Sequence, residues 1–360
     1  MSTKPIRFYA DKPVFGLDIG RSSIKVMQLE HNTGKVPEII GYGTAEFDVK
    51  ALNEGVIVKP EAIAEAMHDL FRHKLNGEIT TRRTAMALPG YRTFTRSIQL
   101  PKLGPTELHE AVQLEVEQYV PMALQDLYLD YIITGTTNEA SNIFVVAVPK
   151  KIVDSYLDLS AKLGLEPVLI EPTVTAGARF FARDRHSDMA SIIIDFGSLT
   201  ATISIYDKTI VANSTVSAGG LVFTEAIRNQ LGVSQEEAGD IKTKFGLDVS
   251  KYQKQVAAAL EPSLDKIVTE IRRMLRYYEE HYNMQNGGIS QIVTLGGGAN
   301  MPGLSDYLTN ALKVPVRTHE HPWAVFKYDH DLKLPIEADR LMYATVAGLS
   351  LLNPRELFTQ

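Results

Sequence analysis

The 360-residue chain contains no cysteine. Disulfides, thiol nucleophiles and thiolate metal sites are excluded together. No apolar run approaches the roughly 20 residues that cross a bilayer, and residues 1–11 lack the apolar centre of a signal peptide. There is no basic block and the formal net charge is −6, so nucleic-acid binding has little support. Neither Gly-x₄-Gly-Lys-Ser/Thr nor Gly-x-Gly-x-x-Gly occurs, which removes the P-loop and the dinucleotide fingerprint. His109-Glu110 lacks the second histidine of a zincin. His319-Glu320-His321, with His330 nearby, offers a histidine pair beside Pro322 but no well-spaced third metal ligand. What remains, 44% hydrophobic and 22% charged, reads as a soluble chain, most simply cytoplasmic, and too long for one ordinary core.

What is present is one design used twice. Phe15-Gly16-Leu17-Asp18-Ile19-Gly20-Arg21-Ser22-Ser23-Ile24-Lys25-Val26 reads as an apolar strand, a tight polar turn and a second strand. Asp18 opens the turn, and Gly20 lets the backbone come close to whatever lies above it. Arg21, Ser22 and Ser23 line up successive amides, the concave nest that holds an anion, and Lys25 adds a positive charge. Acid, nest and lysine suit a phosphate chain with its magnesium. Asp18 would hold that ion through water, since Mg²⁺ keeps several of its waters. The alternative is a plain hairpin with a surface acid.

The design returns 177 residues later. Ser191-Ile192-Ile193-Ile194-Asp195-Phe196-Gly197-Ser198-Leu199-Thr200 leads into a strand with Ile203 and Ile205 on one side and Thr202 and Ser204 on the other. Two such hairpins imply a duplicated fold with a ligand clamped between its halves. In a third element, Ile292 to Leu304, a strand runs into Gly296-Gly297-Gly298, where a flat ring or a sugar can approach closely.

Between these motifs, patterning predicts strands at 14–19, 24–30 and 36–48, with residues 1–12 a loose tail. A helix begins at Pro60 and is stopped by Gly77, and a buried strand runs from Thr84 to Leu88. Residues 92–166 read as β-α-β-β-α: an extended run, a helix from Pro105 ended by Pro121, strands at 127–134 and 143–149, and a helix from Lys150 to Leu163 stopped by Gly164. Residues 221–287 read as helical. Ser234 and Glu237 are placed for a capping box, and Pro262 starts the longest helix, to about Asn283. Arg272, Arg273 and Arg276 are either solvated or available to stack on a base. Asn286-Gly287-Gly288 ends this region. The chain closes with a short helix and a tail broken by Pro354.

The order DIGRSSIK, DFGSLT, GGGANMPGL resembles the phosphate-1, phosphate-2 and adenosine motifs of the actin-like ATPase superfamily. That resemblance implies an α/β class, a duplicated ribonuclease H-like fold binding ATP and Mg²⁺. The adenosine motif supplies Gly296, Gly297, Gly298 and Met301. Glu171 to Ala178 and Ala344 to Leu349 look like the two connecting helices. Ser217-Ala218-Gly219-Gly220 either borders the phosphates or is a plain turn. Ala238-Gly239-Asp240-Ile241-Lys242 is similar to a nucleoside-binding pattern in which Lys242 matches but Gly239 replaces a glutamate. Asp18 and Asp195 would manage the metal through water, with Asp195 and Glu171 as the catalytic candidates. Glu171 either orients a water or simply ends a strand.

The run Arg96 to Pro101, then Val116-Glu117-Gln118-Tyr119-Val120-Pro121, then Leu129-Asp130-Tyr131, resembles the inserted subdomain shared by the FtsA and PilM families. The implied subdomains are 13–91 with 167–188 and 345–360 (1A), 92–166 (1C), 189–220 with 288–344 (2A), and 221–287 (2B). A C-terminus too short for a basic amphipathic anchor and the insertion's spacing favour the PilM family of type IV pilus assembly proteins; an FtsA-like filament former is the alternative. The resemblance implies a groove beside the insertion for the cytoplasmic N-terminal peptide of a PilN-like membrane protein, attachment to the inner membrane through that partner, and at most slow ATP hydrolysis.

Overall fold

Two sheets built on one plan organise the molecule. In the first, the strands lie in the order Glu166–Pro172, Arg83–Leu88, Phe15–Ile19, Ser23–Glu30, Glu38–Glu46, Lys327–Tyr328, and Leu75–Gly77 also pairs with Glu38–Glu46. In the second, the order is Val316–Thr318, Gln291–Leu295, Ser191–Phe196, Ala201–Asp207, Thr209–Val216. Each sheet has a central hairpin, a third strand antiparallel to it, and two strands parallel to the hairpin's first arm. The registers agree as well. Asp18 stands opposite Lys25 and Ala87, and Asp195 stands opposite Thr202 and Leu295. The computed structural model describes residues 12–31, 34–282 and 288–352. The expected tail before residue 12, the helix end at Asn283, Asn286, Gly287 and the break at Pro354 lie outside them.

The local reasons are legible. Phe15–Ile19 and Ser191–Phe196 are almost wholly buried, as central strands covered on both faces must be, and they read as near-continuous apolar runs. Both turns close with the same bond: the amide of Gly20 donates to the Ser23 carbonyl and that of Gly197 to the Thr200 carbonyl, each at 2.9 Å. Helices Thr173–Phe181 and Ala344–Ser350 cross between the sheets. Small residues set their distance. A Cβ on Gly348 would stand 1.8 Å from the Ala176 carbonyl oxygen, and one on Gly16 would stand 2.6 Å from that of Val346.

The inserted segment forms a three-stranded sheet in the order Phe94–Pro101, Ala140–Pro149, Leu127–Thr136. Helix Pro105–Tyr119 buries Leu108, Val112 and Val116 against Leu100, Ile143 and Val145. Helix Lys150–Leu163 follows without a linker, yet its stripe of Ile152, Tyr156 and Leu159 joins Phe15, Leu17 and Met86 in the core of the first sheet. It is the crossover that two parallel strands require. Its period showed an amphipathic helix without showing which core it faces. The longest helix begins earlier than expected, at Gln253, and carries Pro262 inside it. The missing amide of Pro262 removes one bond, while Val256, Leu260, Leu264, Ile267 and Ile271 hold the helix against the second sheet. Among the described residues no helix is long and apolar enough to cross a membrane.

Candidate functional site

The two hairpin turns face one cavity of about 360 Å³. Asp18, Gly20, Arg21, Ser23 and Lys25 reach it from the first half, and Asp195, Gly197, Ser198, Thr200 and Thr202 from the second. The carboxyls sit in a poorly hydrated place. Burial raises the pKa of Asp18, and Lys25 opposes the rise. Burial and the charge of Asp18 push Asp195 up to about 6, again against Lys25. Lys25 is buried and its Nζ donates to Ser23 Oγ at 2.9 Å. Arg21 is anchored by Nη1 on the Leu52 carbonyl at 2.7 Å.

Helix Gly220–Leu231 starts on the second turn. The amides of Gly220 and Leu221 donate to the carbonyls of Gly197 and Ser198, at 2.9 and 2.7 Å. Gly219 makes that contact feasible, because a Cβ there would lie 2.5 Å from the Leu199 backbone. Lys242, from helix Gln235–Lys244, reaches the same place and donates to the Gly220 carbonyl and Thr224 Oγ1 at 3.0 and 2.9 Å. Burial lowers its pKa. Gly296 has φ +80, and a Cβ on it would come 2.5 Å from Asp195 Oδ1. A side chain there would displace the acid.

Gly220, Lys242, Gly296 and Gly297 thus share the cavity wall with both turns. Ser22, Gly219, Gly298, Met301 and Glu171 do not line it. Gly298 packs on Phe196, and Met301 is buried in the core of the second sheet. Glu171 is buried and fully engaged: Arg179 binds both of its oxygens and Thr175 donates to one, at 2.5 to 2.8 Å. Gly239 is also absent from the wall, and Arg272, Arg273 and Arg276 do not reach it. Arg273 pairs with Glu270, and Arg272 donates to the Ala311 carbonyl. His321 caps the helix Pro322–Val325.

Several lining residues escaped the motif reading. Thr202 stands opposite Asp195 as Lys25 stands opposite Asp18. The 177-residue offset between the hairpins was a signal for it. Gly90 approaches Thr173: a Cβ there would lie 2.8 Å from Thr173 Oγ1 and 3.6 Å from Thr202 Oγ1. Tyr91, Tyr156, Met342 and Thr345 also line the wall, and no spacing rule marks them.

Two carboxylates beside Arg21, Lys25 and Lys242, with glycine turns between, suit a polyanion that brings a divalent cation. The cation would offset the burial and the repulsion by Asp18 that together lift Asp195. Among the described residues no group of three or more metal-binding side chains occurs. The remaining metal oxygens would therefore come from the polyanion and water, as Mg²⁺ tolerates.

A model of the family described as "Type IV pilus assembly protein PilM" matches residues 16–353. The cell division protein FtsA of Enterococcus faecalis is 24% identical over 352 residues, covering 84% of this chain and 78% of FtsA. Among solved structures, the PilM–PilN type IV pilus biogenesis complex is similar with a TM-score of 0.81 and 23% identity, over 95% of this chain and 98% of that one. The ethanolamine utilization protein EutJ of Carboxydothermus hydrogenoformans gives a TM-score of 0.54 at 15% identity, over 97% and 91%. MreB5 of Spiroplasma citri bound to AMPPNP gives 0.53 at 15%, over 93% and 94%. The likenesses establish the actin-like ATPase fold.

Proposed function

Because the chain belongs to the type IV pilus assembly protein PilM family, we propose that it is a nucleotide-dependent adaptor, binding ATP with Mg²⁺ between its two halves and docking the cytoplasmic N-terminal peptide of a PilN-like membrane protein. The observation that carries the nucleotide reading is the pair of turns, alike in register and closing bond, that bring Asp18 and Asp195 to one cavity. The turn amides around Gly20–Ser23 and Gly197–Thr200, with Lys25, hold the phosphates. Asp18 and Asp195 hold the metal through water. Gly296, Gly297, Gly220 and Lys242 lie against the nucleoside. Bound magnesium would neutralise the phosphate oxygens.

Hydrolysis on this reading is slow at most. In-line attack needs an oriented water, and both oxygens of Glu171 are committed to Arg179 and Thr175. Asp195 is left as the candidate base. Binding, then, sets the angle of the two halves, and partner affinity reads that angle.

The likeness to a PilM–PilN complex supports the choice of partner. For the groove we propose the free side of strand Leu127–Thr136. Among the described residues no strand pairs with that side. Tyr128, Ile132 and, on the neighbouring helix, Leu157 are exposed there. An extended peptide can add to such an edge, its backbone giving affinity and its alternate side chains specificity. Attachment to the inner membrane then runs through the partner.

The test is a fluorescence titration of a labelled PilN-type N-terminal peptide with this protein, with and without Mg-ATP. Saturable binding that tightens with Mg-ATP and is lost with a scrambled peptide is expected. Lys25→Ala should abolish the nucleotide effect. Absence of binding in every nucleotide state overturns the adaptor reading.

A further inference from the structure

Tyr156 is 0% exposed, and among the described residues its hydroxyl has no hydrogen-bond partner. It also lines the cavity between the hairpins. A buried polar group left unpaired costs about 1–3 kcal/mol, and a phenylalanine would fill the same space without that cost. Burial, then the charges of Asp18 and Tyr91, raise its pKa above that of an ordinary phenol. At physiological pH the group is therefore a neutral, unpaired O–H within the electrostatic reach of Asp18. A cation held through water by Asp18 would draw the outer phosphates toward that side of the cleft, where Tyr156 also lines the wall.

We propose that Tyr156 is a specificity-determining residue, its hydroxyl donating to an oxygen of the outermost phosphoryl group and so favouring a nucleoside triphosphate over a diphosphate. The inference rests on the nucleotide reading above. It also gives the signal a route. Tyr156 belongs to the helix Lys150–Leu163, which begins where the inserted strand Ala140–Pro149 ends. Two residues before it, Asp154 Oδ1 accepts from the Tyr128 hydroxyl at 3.0 Å on the free-edged strand. The next residue back from Tyr156, Ser155, accepts through Oγ from the amide of Ile57 at 3.1 Å, in a short hairpin of Leu52–Asn53 with Val56–Ile57 whose Leu52 and Gly55 line the cavity. The helix that reads the phosphate also braces the proposed docking strand.

The experiment is calorimetric titration of the full chain, wild type and Tyr156→Phe, with Mg-AMPPNP and with Mg-ADP, together with melting of both proteins without nucleotide. Wild type should favour AMPPNP. Tyr156→Phe should weaken AMPPNP about tenfold, as loss of one bond to a charged acceptor does, and leave ADP within about twofold. Its melting temperature without nucleotide should be equal or higher, because an unpaired hydroxyl has been removed. Equal weakening of both nucleotides, an unchanged ratio, or a lowered melting temperature overturns the proposal. Failure of wild type to bind either nucleotide is a different result: it overturns the nucleotide reading itself.

Discussion

Asp195 gives the cleft a pH dependence of known sign. Burial and Asp18 raise its pKa to about 6. A carboxyl raised on folding holds its proton more tightly folded than unfolded, so its charge opposes folding fully above about 6, and that penalty is relieved as pH falls from about 6 to below the ordinary value of 3.8. Asp195→Asn keeps the size and removes the charge. Without nucleotide the variant should be more stable than wild type at pH 7.5, by about 1–3 kcal/mol, and the difference should shrink as pH falls through about 6 and vanish only below the ordinary carboxylate value of 3.8. Calorimetric melting across that range checks it, and an offset independent of pH would exclude the carboxylate as the cause. Asp184 acts oppositely. Burial pushes it up, but the His186 amide and Arg317 hold it below the ordinary carboxylate value. Its contribution is present at neutral pH and is lost only as pH falls below the ordinary range, so the two effects occupy different windows. At this scale the sequence was readable where chemistry and turn coincide, as at Asp18, Gly20 and Lys25. It was silent at Tyr156, whose place in an apolar helical stripe looks like core and is core for all but one atom.

At the scale of elements, glycines divide into those that carry the fold and those that do not. Gly348→Ala must drive the two crossing helices apart, since its new methyl would overlap the Ala176 carbonyl. A loss of about 3 kcal/mol or more in urea unfolding is expected. Gly239→Ala is the control. It lies inside helix Gln235–Lys244 with nothing within 4 Å of a Cβ, so the same measurement should show a gain of about 0.5–1 kcal/mol. Strands and helices were mostly legible from period and caps: Ser234 caps its helix on the Glu237 amide at 3.1 Å, and Gly164 closes Lys150–Leu163 at φ 65. Two misreadings share one cause. Pro262 looked like a start because its local preference is a start, and Lys150–Leu163 looked like part of the insertion because it follows it directly. In both cases packing against a distant sheet decides, and spacing along the chain carries no record of it.

For the whole molecule, the reading of two halves hinged at crossing helices makes a claim about shape. Mg-AMPPNP should reduce the radius of gyration in X-ray scattering, and Lys25→Ala should not respond. Discrete particles in every nucleotide state favour an adaptor, whereas nucleotide-dependent pelleting on lipid would favour the FtsA-like alternative. The duplication itself was visible in sequence from the repeated Asp-x-Gly, because each copy must make the same turn at the same strand end.

The copies nevertheless differ in charge at matched places: Lys25 faces Asp18 where Thr202 faces Asp195, and Arg21 has Ser198 as its counterpart. A cleft made of two identical hairpins would accept a chain of phosphates in either sense. Within the hairpins themselves the basic side chains stand on one side only, and that gives the cleft a polarity. The ligand then has a head and a tail, and the two halves have distinct duties, however alike their backbones are.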